Sequence, residues 1–159
     1  MNVDFYEKIW MGAAAALIAV FLLAIVIAAG AYAVQPPSHV EVIDPTAILD
    51  HPEFGAPGVE IQPDGRVTVT VVAEMFFFDP DPIEVPAGRP VTFRITSPDV
   101  IHGFEVVGTN ANTMVIPGYV SEFTTTFDEP GEYMIVCNEY CGMLHHNMGA
   151  TLVVQEATE

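Results

Sequence analysis

A chain of 159 residues has room for one domain and an appendage, and 21 acidic against 4 basic side chains, a formal net charge of −17, exclude nucleic acid as a partner. Yet 51% of the residues are hydrophobic and mean hydropathy is +0.40, so the apolar residues must be concentrated somewhere.

They are concentrated at the N-terminus. After a short tail over residues 1–8, no charged residue occurs from Ile9 to Ser38, and residues 9–34 are almost entirely Ala, Leu, Ile, Val and Phe. As a helix, 9–34 would span about 39 Å, enough to cross a bilayer core with some tilt. Ala31-Tyr32-Ala33 has the form of a signal-peptide cleavage site, but the apolar run far exceeds a signal core of about 7–15 residues. A retained transmembrane helix is therefore expected. Trp10 and Tyr32 fall near its two ends, where amphipathic rings prefer the interface. Lys8 is the only basic residue near either end, which places the N-terminus in the cytoplasm and the rest of the chain on the outer face of the cell membrane.

Residues 35–66 read as a linker. Pro36-Pro37 ends the helix, and Pro45, Pro52, Pro57, Pro63 and three glycines follow without sustained periodicity. His39 and His51 lie here and are expected to be solvated rather than ligands.

From residue 67 to 159 the texture is all-β. Short β-branched runs recur between turn residues: 67–72, 83–85, 91–96, 104–107, 122–127, 133–136 and 150–154. About seven short strands so punctuated indicate a Greek-key sandwich or barrel. No long amphipathic helix and no internal repeat follow the anchor.

Between Cys137 and Met148 the chain reads C-N-E-Y-C-G-M-L-H-H-N-M. Two thiols, an imidazole and a thioether are soft or borderline ligands, which select copper over magnesium, calcium or manganese. Two cysteines this close can both bridge a pair of metals. Strand 133–136 delivers Cys137 to a sheet end and strand 150–154 carries the chain away, so the ligands ride on a loop gripped at both ends. His102, in Ser97-Pro98-Asp99-Val100-Ile101-His102-Gly103-Phe104, is the best further ligand. Duller readings stand beside this one. Cys137 and Cys141 could form a disulfide, which leaves His145 and Met148 accidental; zinc could take two Cys and two His, which leaves Met148 without use. His146 reads as a surface neighbour, and Met75, Met114, Met134 and Met143 as core or surface fillers. Asp99 either shapes the loop before His102 or helps a partner dock.

C-x-E-x-C-G-x-x-H-x-x-M, joined to the upstream S-P-D-V-x-H-x-F, resembles subunit II of the haem–copper oxygen reductases, which carries the binuclear CuA centre. The likeness covers about residues 66–155, and a single N-terminal helix is similar to the B-type cytochrome c oxidases. It implies a cupredoxin-like fold in which Cys137 and Cys141 are thiolates bridging two coppers. His145 and the backbone carbonyl of Glu139 would complete one copper, His102 and the weak axial ligand Met148 the other. Each histidine's free ring nitrogen then needs an acceptor, which the sequence does not identify. The resemblance also implies a role: an external carrier, a cytochrome c or a small blue-copper protein, reduces the copper pair, and the electron passes to haem in a catalytic subunit I where oxygen is reduced. Haems are expected only in that partner, and no bond chemistry in this chain.

Two departures from the family pattern stand out. Subunit II generally has a Trp/Tyr-rich stretch near the copper, linked to electron input; here it reads Glu74-Met75-Phe76-Phe77-Phe78, and Trp10 is the only tryptophan. Phe76 and Phe78, two apart on a strand, would form an apolar docking patch or else belong to the core. The Glu139 side chain resembles a residue that helps hold magnesium at the subunit I boundary in other branches, an ion the B-type likeness gives no reason to expect. Two alternatives remain open: a membrane-anchored single-copper carrier, which would leave Cys137 idle, and the same copper pair serving a nitric oxide reductase.

After the anchor, 19 acidic residues face 3 arginines and no lysine. Spread rather than clustered, this charge reads as a halophile-like surface suited to concentrated salt. There the Debye length falls to about 3 Å at 1 M, so the expected contact with an electron donor is largely apolar.

Overall fold

The computed structural model describes residues 4–31 and 41–156, which form two units. The first is helix α1, Phe5–Ala31. It starts four residues before the expected Ile9 because Asp4 caps it. The Asp4 carboxylate accepts from Phe5 N at 2.6 Å, while Asp4 N donates to Glu7 Oε2 at 3.1 Å. This reciprocal pair satisfies orphan amides of the first turn, and the acids suit the positive end of the helix dipole. Apolar side chains stand on every face of α1, and Phe5–Gly30 is long and apolar enough to cross a membrane. Trp10 lies in its second turn; Tyr32, Pro36-Pro37, His39 and the expected helix end at 34 lie outside the described residues.

The second unit is a two-sheet sandwich. Its strands are β1 (Glu41–Val42), β2 (Gly58–Ile61), β3 (Val67–Glu74), β4 (Phe77–Asp79), β5 (Ile83–Pro86), β6 (Pro90–Thr96), β7 (His102–Val106), β8 (Asn112–Val115), β9 (Tyr119–Thr126), β10 (Gly131–Val136) and β11 (Gly149–Gln155). One sheet runs β1-β9-β6-β3-β2, with β4 also paired to β3; the other runs β5-β11-β10-β7-β8. β3 with β6 and β5 with β11 are parallel pairs, and the other neighbours are antiparallel. Period-two alternation turns Val67, Val69 and Val71 of β3 and Val91, Phe93 and Ile95 of β6 inward, against Phe104, Ile135 and Leu152 of the facing sheet. Phe93 is the aromatic centre, stacked on Phe123 at 5.2 Å and tilted against Phe104 at 5.5 Å.

Part of the segment expected to be a linker packs onto the sandwich. β1 adds to the edge of β9 and β2 to the edge of β3, and a 3₁₀ turn, Pro45–Asp50, lies between them. Ile43, Ile48 and Phe54 form a second apolar cluster with Val72 and Val120, on the face of the first sheet turned away from the main core. The physical reason is β3 itself. Val71-Val72-Ala73 is apolar without a break, which demands cover on both faces of the strand. Arg94 of β6 clamps the flap: its Nε donates to Glu53 at 2.6 Å, its Nη2 to Glu41 at 2.9 Å, and its Nη1 to Glu122. These carboxylates, Glu53 foremost, push the guanidinium pKa up against its burial. His51 is half-buried rather than solvated, and its Nδ1 accepts from Glu53 N and Phe54 N, each at 3.3 Å.

Candidate metal centre

β10 and β11 pair residue for residue from Gly131↔Val154 to Val136↔Gly149, so the segment 137–148 leaves and re-enters one sheet end. Cys137 N donates to Met148 O at 3.2 Å and closes that loop; a single 3₁₀ turn, His145–Asn147, sets the spacing before Met148. β7, which pairs with β10, begins at His102 and brings the imidazole to the same end.

The six sequence-picked residues meet here. Cys137 Sγ and Cys141 Sγ stand 3.7 Å apart as free thiols, well beyond a disulfide bond. His102 Nδ1 is 3.9 Å and the Glu139 carbonyl oxygen 3.1 Å from Cys137 Sγ; His145 Nδ1 is 3.6 Å and Met148 Sδ 3.5 Å from Cys141 Sγ. His102, Cys137, Cys141 and Met148 are buried, His145 is half-buried, and the Glu139 side chain is exposed, leaving its carbonyl as the inward group. His102, Cys137 and Cys141 present donor atoms all within 4.8 Å of one another. The donors are thiol, imidazole, thioether and carbonyl, a set that fits copper, whereas a zinc site would give Met148 no role. His146 is exposed, as a surface neighbour would be.

Burial, and then the adjacent Cys137 thiol, push the Cys141 thiol up to about 11, so an incoming metal must displace its proton. The acceptor for His102 is Asp99, three residues upstream: Oδ1 takes His102 Nε2 at 2.8 Å. A carboxylate only accepts, so Nε2 carries the hydrogen and Nδ1 turns its lone pair toward Cys137. Burial opposes ionisation of Asp99, but hydrogen bonds from His102, Met75 N, Val100 N and Ser97 together hold its pKa below the usual value. Asp99 thus shapes the loop before His102.

The aromatic expectation needs correction. Phe76 and Phe78 do not share a strand face: Phe76 sits in the β3–β4 turn, half-buried, and Phe78 points into the core, edge-on to Phe104 at 5.5 Å. The turn shifts the period by breaking the extended run. Phe78 is therefore no docking residue. Phe76 instead lies over Gly142, where a Cβ would stand 2.9 Å from its Cε1, at a φ of +132° that glycine alone tolerates well. Phe77, Met75, Met143, Leu144 and Tyr140 are the exposed apolar groups of this turn and loop, and the Tyr140 ring meets His145 edge-on at 5.8 Å. Tyr140 was legible only by its place inside the ligand window. Another interlock is invisible in sequence: Asn138 Nδ2 donates to Glu105 at 2.9 Å and Asn112 at 3.2 Å, in space left by Gly103.

Residues 67–157 match the family described as cytochrome c oxidase subunit II, periplasmic domain. A cytochrome c oxidase subunit 2 of Thermus thermophilus is 45% identical over 155 residues, 95% of this chain and 92% of the relative. A second from Thermus thermophilus is 48% identical over 125 residues, 77% of this chain and 93% of the relative. In a solved heme-copper terminal oxidase dimer, one chain superposes with a TM-score of 0.77 at 34% identity, over 94% of this chain and 99% of that one. The periplasmic domain of subunit II of a Bradyrhizobium japonicum cytochrome oxidase, at a TM-score of 0.53 and 19% identity, shares the fold over 64% of this chain and 88% of its own. Sandwich, donor set and relatives agree, and the chain belongs to the cytochrome c oxidase subunit II family.

Proposed function

We propose that this chain is the electron-accepting subunit of a haem–copper oxidase, with a binuclear CuA centre held by His102, Cys137, the Glu139 carbonyl, Cys141, His145 and Met148. Electrons come from an external carrier, a cytochrome c or a small blue-copper protein, and leave for the haem of a catalytic subunit I that reduces oxygen. A copper pair, when bound, supplies reversible one-electron exchange.

The observation that carries this reading is the convergence of both thiols. A single-copper carrier needs one cysteine, yet Cys137 and Cys141 stand equally within the donor cluster, each beside its own imidazole. The protein's contribution is stiffness. Three of the donor side chains belong to the main apolar core, and the loop that bears them is pinned to paired strands at both ends, so little rearranges when charge changes. Names borne by the relatives favour oxygen over nitric oxide as the terminal acceptor. With the helix as a membrane anchor, the single Lys8 favours a cytoplasmic N-terminus and a copper domain on the outer face.

Electron spin resonance of the copper-loaded full chain tests the reading. One unpaired electron shared by two copper nuclei, with two coppers per chain, is expected; an isolated-copper signal at one copper per chain refutes it. For the donor contact, the exposed Met75, Phe77, Tyr140, Met143 and Leu144 support an apolar surface. Donor turnover that collapses between moderate and molar salt, with the fold intact, overturns that part.

A further inference from the structure

Asp99 takes donors on both of its oxygens. Its Oδ1 takes His102 Nε2 at 2.8 Å, Ser97 Oγ at 2.9 Å and Val100 N at 2.6 Å, while Oδ2 takes Met75 N at 2.7 Å. The first group lies on its own loop. Met75 does not: it is 24 residues away, in the turn between β3 and β4. That turn also touches the 137–148 ligand loop, through the Phe76 ring packed over Gly142 next to Cys141. Its outer surface is apolar, with Met75 and Phe77 both 46% exposed. One carboxylate thus ties a fully buried imidazole to an exposed turn that roofs the ligand loop.

We infer that Asp99 is a positioning residue that holds His102 and the Met75–Phe77 turn as one body. This deepens the proposed function and rests on it for the identity of the metal. The physical ground is acceptor number. The four hydrogen bonds need acceptors on both oxygens, which only a carboxylate offers at this size. An asparagine has a single carbonyl oxygen. Placed at the Oδ1 position, where three donors converge, that oxygen keeps the His102, Ser97 and Val100 bonds, and the amide NH₂ then faces Met75 N–H, donor against donor. Asp99→Asn therefore separates the two attachments, whereas Asp99→Ala removes both.

The experiment compares wild type, Asp99→Asn and Asp99→Ala as copper-loaded full chains, by amide hydrogen exchange over residues 74–78 and by electron spin resonance. Asp99→Asn is expected to speed exchange at the Met75 amide about tenfold or more, the loss of one charge-assisted hydrogen bond, while the copper hyperfine pattern stays that of wild type. Asp99→Ala is expected to speed the same exchange and also alter the hyperfine pattern, because His102 loses its orienting acceptor. Unchanged Met75 exchange in Asp99→Asn overturns the inference, as does an equal change of the copper signal in both variants. A wild-type signal from an isolated copper would refute the binuclear reading alone, since the exchange comparison is independent of how many coppers are bound.

Discussion

Gly103→Ala is the sharpest test of how the Glu139 carbonyl is held. Gly103 follows His102 in β7, and a Cβ there would stand 1.8 Å from Asn138 Oδ1 and 2.9 Å from Glu139 N. The first clash is with a side chain, which can rotate away only by giving up its bonds to Glu105 and Asn112; exposed as they are, these contribute about 0.5–1 kcal/mol each. The second is with backbone. Relieving it moves the Asn138–Glu139 peptide and, through the Glu139 Cα, the following carbonyl that lies 3.1 Å from Cys137 Sγ, an overpacking cost of about 1–3 kcal/mol. The total is about 2–5 kcal/mol, a fall in melting temperature on the order of 10 °C for a domain of this size. Denaturant unfolding of the detergent-solubilised full chain measures it, with electron spin resonance reporting the displaced carbonyl. Adding Asn138→Ala removes the side-chain clash and leaves the backbone one. The double variant should then lie closer to wild type than the sum of the single losses. Gly103→Ala within about 0.5 kcal/mol of wild type, or strict additivity in the pair, refutes the reasoning.

Further outcomes follow from the same geometry. Met148→Leu nearly conserves volume at a buried position, so stability should change by less than about 1.5 kcal/mol. Replacing the weak axial donor by a hydrocarbon withdraws electron density from the metal and should raise the reduction potential by tens of mV, at about 59 mV per 1.4 kcal/mol for one electron, read by redox titration. The folded Cys141 thiol, at about 11, lies above its ordinary 9.0. In reduced protein stripped of copper, the stability this contributes is whole below about pH 9 and lost as pH rises through about 11, which unfolding curves against pH will show. Copper affinity should instead increase with pH below that value, up to about tenfold per unit for each thiol proton displaced, in competition titrations with a chelator. Arg94→Met strands Glu41, Glu53 and Glu122 beside one another; about 1–3 kcal/mol should be lost, with faster proteolysis across 41–54 and an unaltered copper signal.

Seven of the eleven strands (β3, β5, β6, β7, β9, β10 and β11) and the ligand window were legible because both are local patterns: period-two alternation between turn residues, and soft donors at short spacing. What escaped was non-local. Ile43, Ile48 and Phe54 are isolated apolar residues among prolines, and their partner is the outer face of β3 and β9. The one signal was the unbroken Val71-Val72-Ala73, which asks for cover on both sides. The acceptor for His102 was only three residues away, yet any carboxylate near the loop would have served in sequence; distance alone singles out Asp99. For Phe78 the core alternative holds, because the β3–β4 turn breaks the period two that a shared docking face with Phe76 requires. The Gly103–Asn138 interlock joins residues 35 apart whose types suggest nothing in particular.

Five of the six proposed donors ride on the twelve residues from Cys137 to Met148, and the pairing of β10 with β11 fixes that segment at both ends. One inserted residue would have to slip the pairing, turning Ile135 and Leu152 outward, or swell the loop and carry a donor away. Evolution therefore has almost no freedom of length here. Insertions and deletions among relatives should gather at sites such as the exposed Gln62–Arg66 turn, which joins β2 to β3 far from any donor in the chain.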